Sequence, residues 1–141
     1  MSDAPRWELY SHGADVGVRG TGTTLAEAFE WIAAALTSAV CDIATVRPSD
    51  RIGIRCEAPD PETLLYEWIN ALVYEMATRH MLFSRFRVSV DGTHLAADAW
   101  GEALDIGRHE PRVEVKGATY TDLRVARSDA GVWTAQCIVD V

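Results

Sequence analysis

The sequence predicts one α+β domain over residues 1–141, with a largely antiparallel β-sheet and two α-helices packed on it. Three observations carry this prediction. Short segments with period-two alternation recur along the chain and are joined by hairpin turns. Two longer segments repeat apolar residues at helical spacing along one face. A chain of 141 residues, 48% hydrophobic and 24% charged, can bury a core without staples and leaves no room for a second ordinary domain.

Two short strands come first. Trp7 and Leu9 alternate with Glu8 and Tyr10, Val16 and Val18 alternate with Gly17 and Arg19, and the polar turn Ser11–Asp15 joins them. Thr24 with Glu27 three residues later is a capping box. It opens a helix whose stripe is Leu25, Ala28, Phe29, Ile32, Ala33 and Leu36. Ile52, Ile54 and Cys56 mark the next strand. Asp60-Pro61 then caps a second helix, striped by Leu64, Leu65, Trp68, Ile69, Leu72, Val73 and Met76. Both stripes are one-sided, so each helix is expected to lie on the sheet without being wholly buried. Phe86, Val88 and Val90 lead into the Asp91-Gly92 turn and a returning strand near Leu95–Leu104. A long polar loop spans Gly107–Asp122, a length often associated with function. A last hairpin runs from Leu123–Arg127 through Ser128–Gly131 to Val132–Val139.

Several function classes are disfavoured. No apolar run reaches the ~20 residues of a transmembrane helix, and Met1–Tyr10 lacks the basic start and apolar core of a signal peptide. Cys41, Cys56 and Cys137 are odd in number and widely spaced, which suits reduced thiols in a cytoplasmic protein and gives no zinc spacing. Net charge is -8, and twelve of the thirteen basic residues are arginine. Such a chain is not expected to bind nucleic acid tightly, although a local basic patch is compatible with the sequence. Trp7, Trp31, Trp68, Trp100 and Trp133 are dispersed, as expected for packing rather than a base-stacking platform. Gly20-Thr21-Gly22 lacks the third glycine and the Lys-Ser/Thr of phosphate-binding loops, and no nucleophile motif surrounds Ser11 and His12.

Two clusters could carry chemistry. Asp15 lies in the first turn with His12 nearby. Asp140 ends a strand beside Val141, whose α-carboxylate would be held with it. Three hard anionic groups suit Ca²⁺, Mg²⁺ or Mn²⁺. The alternatives are a turn carboxylate that caps its own backbone and an exposed acidic tail. The second cluster is Glu102, Asp105, His109 and the sole lysine, Lys116, with Thr119 and Tyr120 after it. Lys116 could meet an anion or a charged partner, with Glu102 and Asp105 offsetting it, or the loop could simply be solvated.

The ordered motifs resemble the archease family over nearly the whole length. The matching pieces are His12-Gly13-Ala14-Asp15-Val16-Gly17, the helix stretch Leu64–Phe86, GEALDIGRHE from Gly101 to Glu110, VKGATYTDLRV from Val115 to Val125, and the terminal Ile138–Val141. The resemblance implies a small α+β fold and a divalent cation held by Asp15, Asp140 and Val141. It implies a non-catalytic activator of an RtcB-type RNA ligase, which joins a 3′-phosphate or 2′,3′-cyclic phosphate end to a 5′-hydroxyl end. The activator promotes guanylylation of the ligase and multiple turnover in tRNA splicing or RNA repair. Lys116 falls at a position implied to matter for activation, with His12, Glu102, Asp105 and Tyr120 as further contact candidates. Two departures are Gly13, where the family usually has Thr, and Thr121, where it usually has His. The first is expected to loosen the turn presenting Asp15, and the second removes a donor near Lys116. Other classes consistent with the residues are a small hydrolase using His12 and Asp15, and a chaperone or adaptor without metal chemistry.

Overall fold

Strand pairing is antiparallel throughout the described residues, 6–141 of a computed structural model, and it divides into two sheets rather than one. The elements are β1 (Trp7–His12), β2 (Asp15–Gly22), α1 (Leu25–Val40), β3 (Asp50–Glu57), α2 (Pro61–Arg79), β4 (Met81–Asp91), β5 (His94–Ala103), α3 (Ile106–His109), β6 (Gly117–Ala118), β7 (Arg124–Arg127) and β8 (Trp133–Asp140). The first sheet has the order β1-β2-β8, with β6 and β7 both pairing with β8. The second has the order β3-β5-β4. The α+β class and the antiparallel pairing are as the sequence predicts.

The first helix explains the division. Thr24 accepts a hydrogen bond from the Glu27 amide at 3.1 Å and starts α1 as its capping box requires. The Glu27 carboxylate accepts from the Thr23 hydroxyl at 3.1 Å, a local variant of the reciprocal bond. The second half of α1 is buried on every side, unlike the one-sided helix expected. Ala34, Ala35 and Ala39 are small enough outside the main stripe for β2 and β4 to approach from different directions. Gly20 of β2 makes that approach closest: a Cβ there would lie 2.2 Å from the Ile32 nitrogen.

The second helix follows its sequence pattern. Asp60 accepts from the Thr63 amide at 2.8 Å, and Leu64, Leu65, Trp68, Ile69, Leu72 and Val73 are buried. The Trp68 indole donates to the Phe29 carbonyl at 3.0 Å, joining α2 to α1 in the core. The helix ends at Arg79 because His80 turns left-handed at φ 53°, so the stretch to Phe86 is helix and then strand.

Both helices also cover sheet edges. Glu30 of α1 accepts from the Val88 amide of β4, and Asn70 and Glu62 of α2 accept from Ala118 and Val125 on β6 and β7. These bonds satisfy edge donors that would otherwise invite another strand. Cys41 and Cys137 are buried, Cys56 is half-buried, and all three are free. Burial pushes the Cys137 thiol up to about 12, leaving it protonated and unreactive at neutral pH. No described helix is long and apolar enough to cross a membrane.

Candidate functional site

The register of the first sheet gathers the N-terminal and C-terminal candidates at one end. His12 of β1 pairs with Asp15 of β2. Val16 pairs with Val139 of β8, so one further step along this ladder sets Asp15 beside Asp140. Gly117 of β6 pairs with Asp140, and the Lys116 amide donates to the Asp140 carbonyl at 2.8 Å. The strand ends thus form a row of His12, Asp15, Asp140 and Gly117, with Lys116 next along the chain.

Side-chain alternation decides which face the row uses. Val16, Val18 and Val139 pack in the core, so Asp15 and Asp140 point to the opposite, outer face. Val141 shares the side of Val139 and packs half-buried against the core. The turn before Asp15 is sharp. Gly13 has φ +60°, a conformation that strains residues bearing a Cβ, so glycine fits this turn rather than loosening it.

The donors suit a hard cation in type: two carboxylates side by side, with the main-chain end of β8 next to them. Their number is limited. Among the described residues no three His, Cys, Asp or Glu side chains converge closely enough to hold a metal ion. Further oxygen ligands to a hard cation can come from main-chain carbonyls and water as well as from carboxylates. Lys116 is exposed, and its ammonium forms no ion pair among the described residues.

The second cluster is arranged differently. Glu102 does not offset Lys116, because its carboxylate is fully engaged inside the chain. It accepts from the Arg108 guanidinium at 2.6 Å, from the Arg47 amide at 2.7 Å and from His109 Nε2 at 2.9 Å. Arg108, followed by the Arg47 amide, holds the Glu102 carboxyl down at about 2. His109 is fully buried. Its Nδ1 accepts from the Asp105 amide at 2.9 Å, which puts the proton on Nε2 and aims it at Glu102. Asp105 caps α3 through the Arg108 amide. The cluster therefore folds the start of the long loop back onto β5.

Tyr120 stands on the far part of that loop, 72% exposed, with its ring stacked on Tyr66 of α2 at 4.5 Å and 7°. The neighbouring Tyr66 hydroxyl raises the pKa of Tyr120. Thr119 and Thr121 clamp the loop to Ile138 of β8 through main-chain bonds of 2.9 and 3.1 Å. Sequence reasoning missed the α2 residues that position this loop. Glu62, Tyr66 and Asn70 recur every fourth residue beside the apolar stripe and meet β7, Tyr120 and β6 in turn. That period-four flank was the available signal.

Comparison with known proteins extends these observations. The family model described as "Archease protein family (MTH1598/TM1083)" matches residues 7–141. The protein archease of Thermococcus gammatolerans is 40% identical over 140 residues, covering 96% of this chain and 99% of its own. That of Pyrococcus furiosus is 39% identical with the same coverage. The solution structure of Methanobacterium thermoautotrophicum protein 1598 superposes with a TM-score of 0.86 at 30% identity, covering 98% of this chain and 100% of that one. A Thermotoga maritima crystal structure, described as an archease and possible chaperone, has a TM-score of 0.64 at 15% identity, a likeness of fold.

Proposed function

The chain belongs to the archease family, and on that premise we propose that it is a metal-assisted, non-catalytic activator of an RtcB-type RNA ligase acting in tRNA splicing or RNA repair. The observation that carries the reading is the β2–β8 register, which brings Asp15 and Asp140 together from opposite ends of the sequence.

In this reading Asp15, Asp140 and the α-carboxylate at Val141 hold a divalent ion. Bound there, the ion would supply positive charge where phosphate groups develop negative charge. The chain's own residues present that site. The Gly13 turn and the Lys116–Asp140 backbone bond fix the two carboxylates at the strand ends. The core contact of Val141 restrains the last residue. The exposed Lys116 ammonium and the exposed Tyr120 ring flank the loop that would meet the ligase. A net charge of -8 favours encounter with a basic, RNA-binding partner.

The test is a time course of ligase guanylylation by GTP, with a cognate ligase, a divalent ion, and either this protein or none. Stimulation and repeated ligation cycles are expected, and no stimulation by wild type would sink the reading. The isolated protein is expected neither to hydrolyse GTP nor to join RNA. A second reading, a chaperone or adaptor without metal, is favoured by the shortage of side-chain ligands at the row. Full stimulation by Asp15→Asn and Asp140→Asn would select it.

A further inference from the structure

The open face of the second sheet carries a charge opposite to that of the chain. Its buried face presents Ile52, Ile54, Leu95, Ala97, Ala99 and Val88 to the core. Pairing fixes what lies on the other face, row by row: Arg51–Trp100–Arg85, then Gly53–Asp98–Arg87, then Arg55–Ala96–Ser89. Four of the twelve arginines therefore share one exposed surface with a single carboxylate across three rows. Glu57, His94 and Asp91 close the far end in the fourth row.

The arginines are organised. The Arg85 guanidinium carbon lies 4.9 Å from the Trp100 ring centroid and that of Arg87 lies 5.9 Å from it. Asp98 accepts from Arg51 at 2.5 Å and from Arg87 at 3.0 Å, one guanidinium on each carboxylate oxygen. An indole and one carboxylate thus hold three long side chains that would otherwise lose rotamer freedom on binding. Adjacent strands are about 4.8 Å apart and residues four apart on a strand about 13 Å, so the guanidiniums spread over a patch of roughly 10 by 13 Å.

We propose that this face docks single-stranded nucleic acid, with Arg51, Arg55, Arg85 and Arg87 on the phosphates and the Trp100–arginine stack beneath a base. Charge complementarity selects a polyanion. Among polyanions, an all-arginine patch built around an aromatic ring selects nucleic acid, because guanidinium groups grip phosphate in bidentate fashion and stack on bases. A flat, open sheet admits an extended strand. The inference is independent of the ligase reading, since it uses no residue of the Asp15–Asp140 row. It also refines the expectation from net charge: binding is local, modest and strongly dependent on salt.

The test is fluorescence anisotropy with labelled oligouridine and oligothymidine of twelve nucleotides, at low and moderate salt. With three to four phosphate contacts, log K should fall with log salt at a slope of about -2 to -3, which is roughly 30-fold between about 50 and 200 mM. Arg55 makes no side-chain contact that the fold requires, so Arg55→Gln should keep the melting temperature and reduce the slope by about 0.7. Combining it with Arg85→Gln should double that change, while Arg124→Gln on the other sheet should change nothing. Equal binding of RNA and DNA supports a single-strand platform, and preference for RNA adds a 2′-hydroxyl contact to it. The proposal is overturned by absence of binding at low salt or by binding that these substitutions leave intact. It is equally overturned if polyglutamate displaces the oligonucleotide at equal charge, which would assign the face to an acidic protein.

Discussion

Two acidic clusters of the molecule meet opposite fates. Glu102 has three donors around one carboxylate and is almost closed to solvent. Asp15 and Asp140 stand at strand ends, side by side, with neither in an ion pair among the described residues. A carboxylate whose acceptors are all filled contributes to folding. One left next to another carboxylate opposes it, through like-charge repulsion, unless a cation or water screens the pair. The lesson is that count and spacing of acidic residues do not distinguish these roles, whereas the number of donors facing each oxygen does.

The sharpest way to break this comparison is to neutralise each cluster in turn. Asp15→Asn and Asp140→Asn should abolish most of the stimulation of ligase guanylylation while leaving the melting temperature unchanged or slightly raised, because repulsion is relieved. Lost stability would move these residues into the structural class, and calorimetric melting alongside the activity assay decides it. Glu102→Ala should do the reverse. It leaves the buried His109 N–H and the Arg108 guanidinium without their acceptor, at a cost of about 2–3 kcal/mol, or roughly 6–10 °C in melting temperature. Any loss of stimulation should then track the unfolded fraction.

Acid sharpens the same contrast. Glu102 titrates near 2 in the fold against an ordinary value of 4.5. Its contribution is therefore complete above about pH 4.5 and is lost as pH falls from there towards 2. Wild-type stability should drop through that window, and Glu102→Gln, which cannot titrate, should flatten the drop. A curve unaltered by Glu102→Gln would remove this carboxylate from the stabilising set.

Much of the fold was legible because local rules and tertiary outcome agree. The Thr24 and Asp60 caps, the α2 stripe, the Gly92 hairpin and the alternation of β3 all appear where the sequence places them. What was not legible depends on long-range packing. A run such as Ala33–Ala35 reads the same whether a helix is covered on one side or two, so the split into two sheets was hidden. The approach of Asp15 to Asp140, one step beyond the Val16–Val139 pair, spans nearly the whole chain, and the residues alone left it open beside an acidic tail. The arginine face was hidden for the same reason: Arg51, Arg85 and Trp100 become neighbours only when β3 and β4 flank β5.

The Val141 carboxylate gives a smaller effect, confined to one ligand of the proposed ion. A C-terminal extension converts it to a neutral amide at the same position, whereas an N-terminal tag lies at the far end of β1. Calorimetric titration with Ca²⁺ or Mn²⁺ should show weaker affinity for the C-terminally extended protein alone. Equal affinity of the two tagged forms would leave only the two side-chain carboxylates and argue against the site.

Lys116 gives the smallest structural effect and for that reason separates placement from packing most cleanly. Its amide holds Asp140 through the backbone, and that bond survives any side-chain substitution except proline. The ammonium is exposed and in no ion pair among the described residues, so Lys116→Ala should alter stability by less than about 0.5 kcal/mol. If the side chain contacts the ligase or its nucleotide, stimulation of guanylylation should fall with no change in melting temperature or divalent-ion affinity. Lys116→Arg keeps the charge but replaces a compact ammonium with a planar fork, so partial recovery would indicate a requirement for charge and no recovery a requirement for shape. Full activity of Lys116→Ala would place the sole lysine with the solvated loop residues and leave the row to its carboxylates.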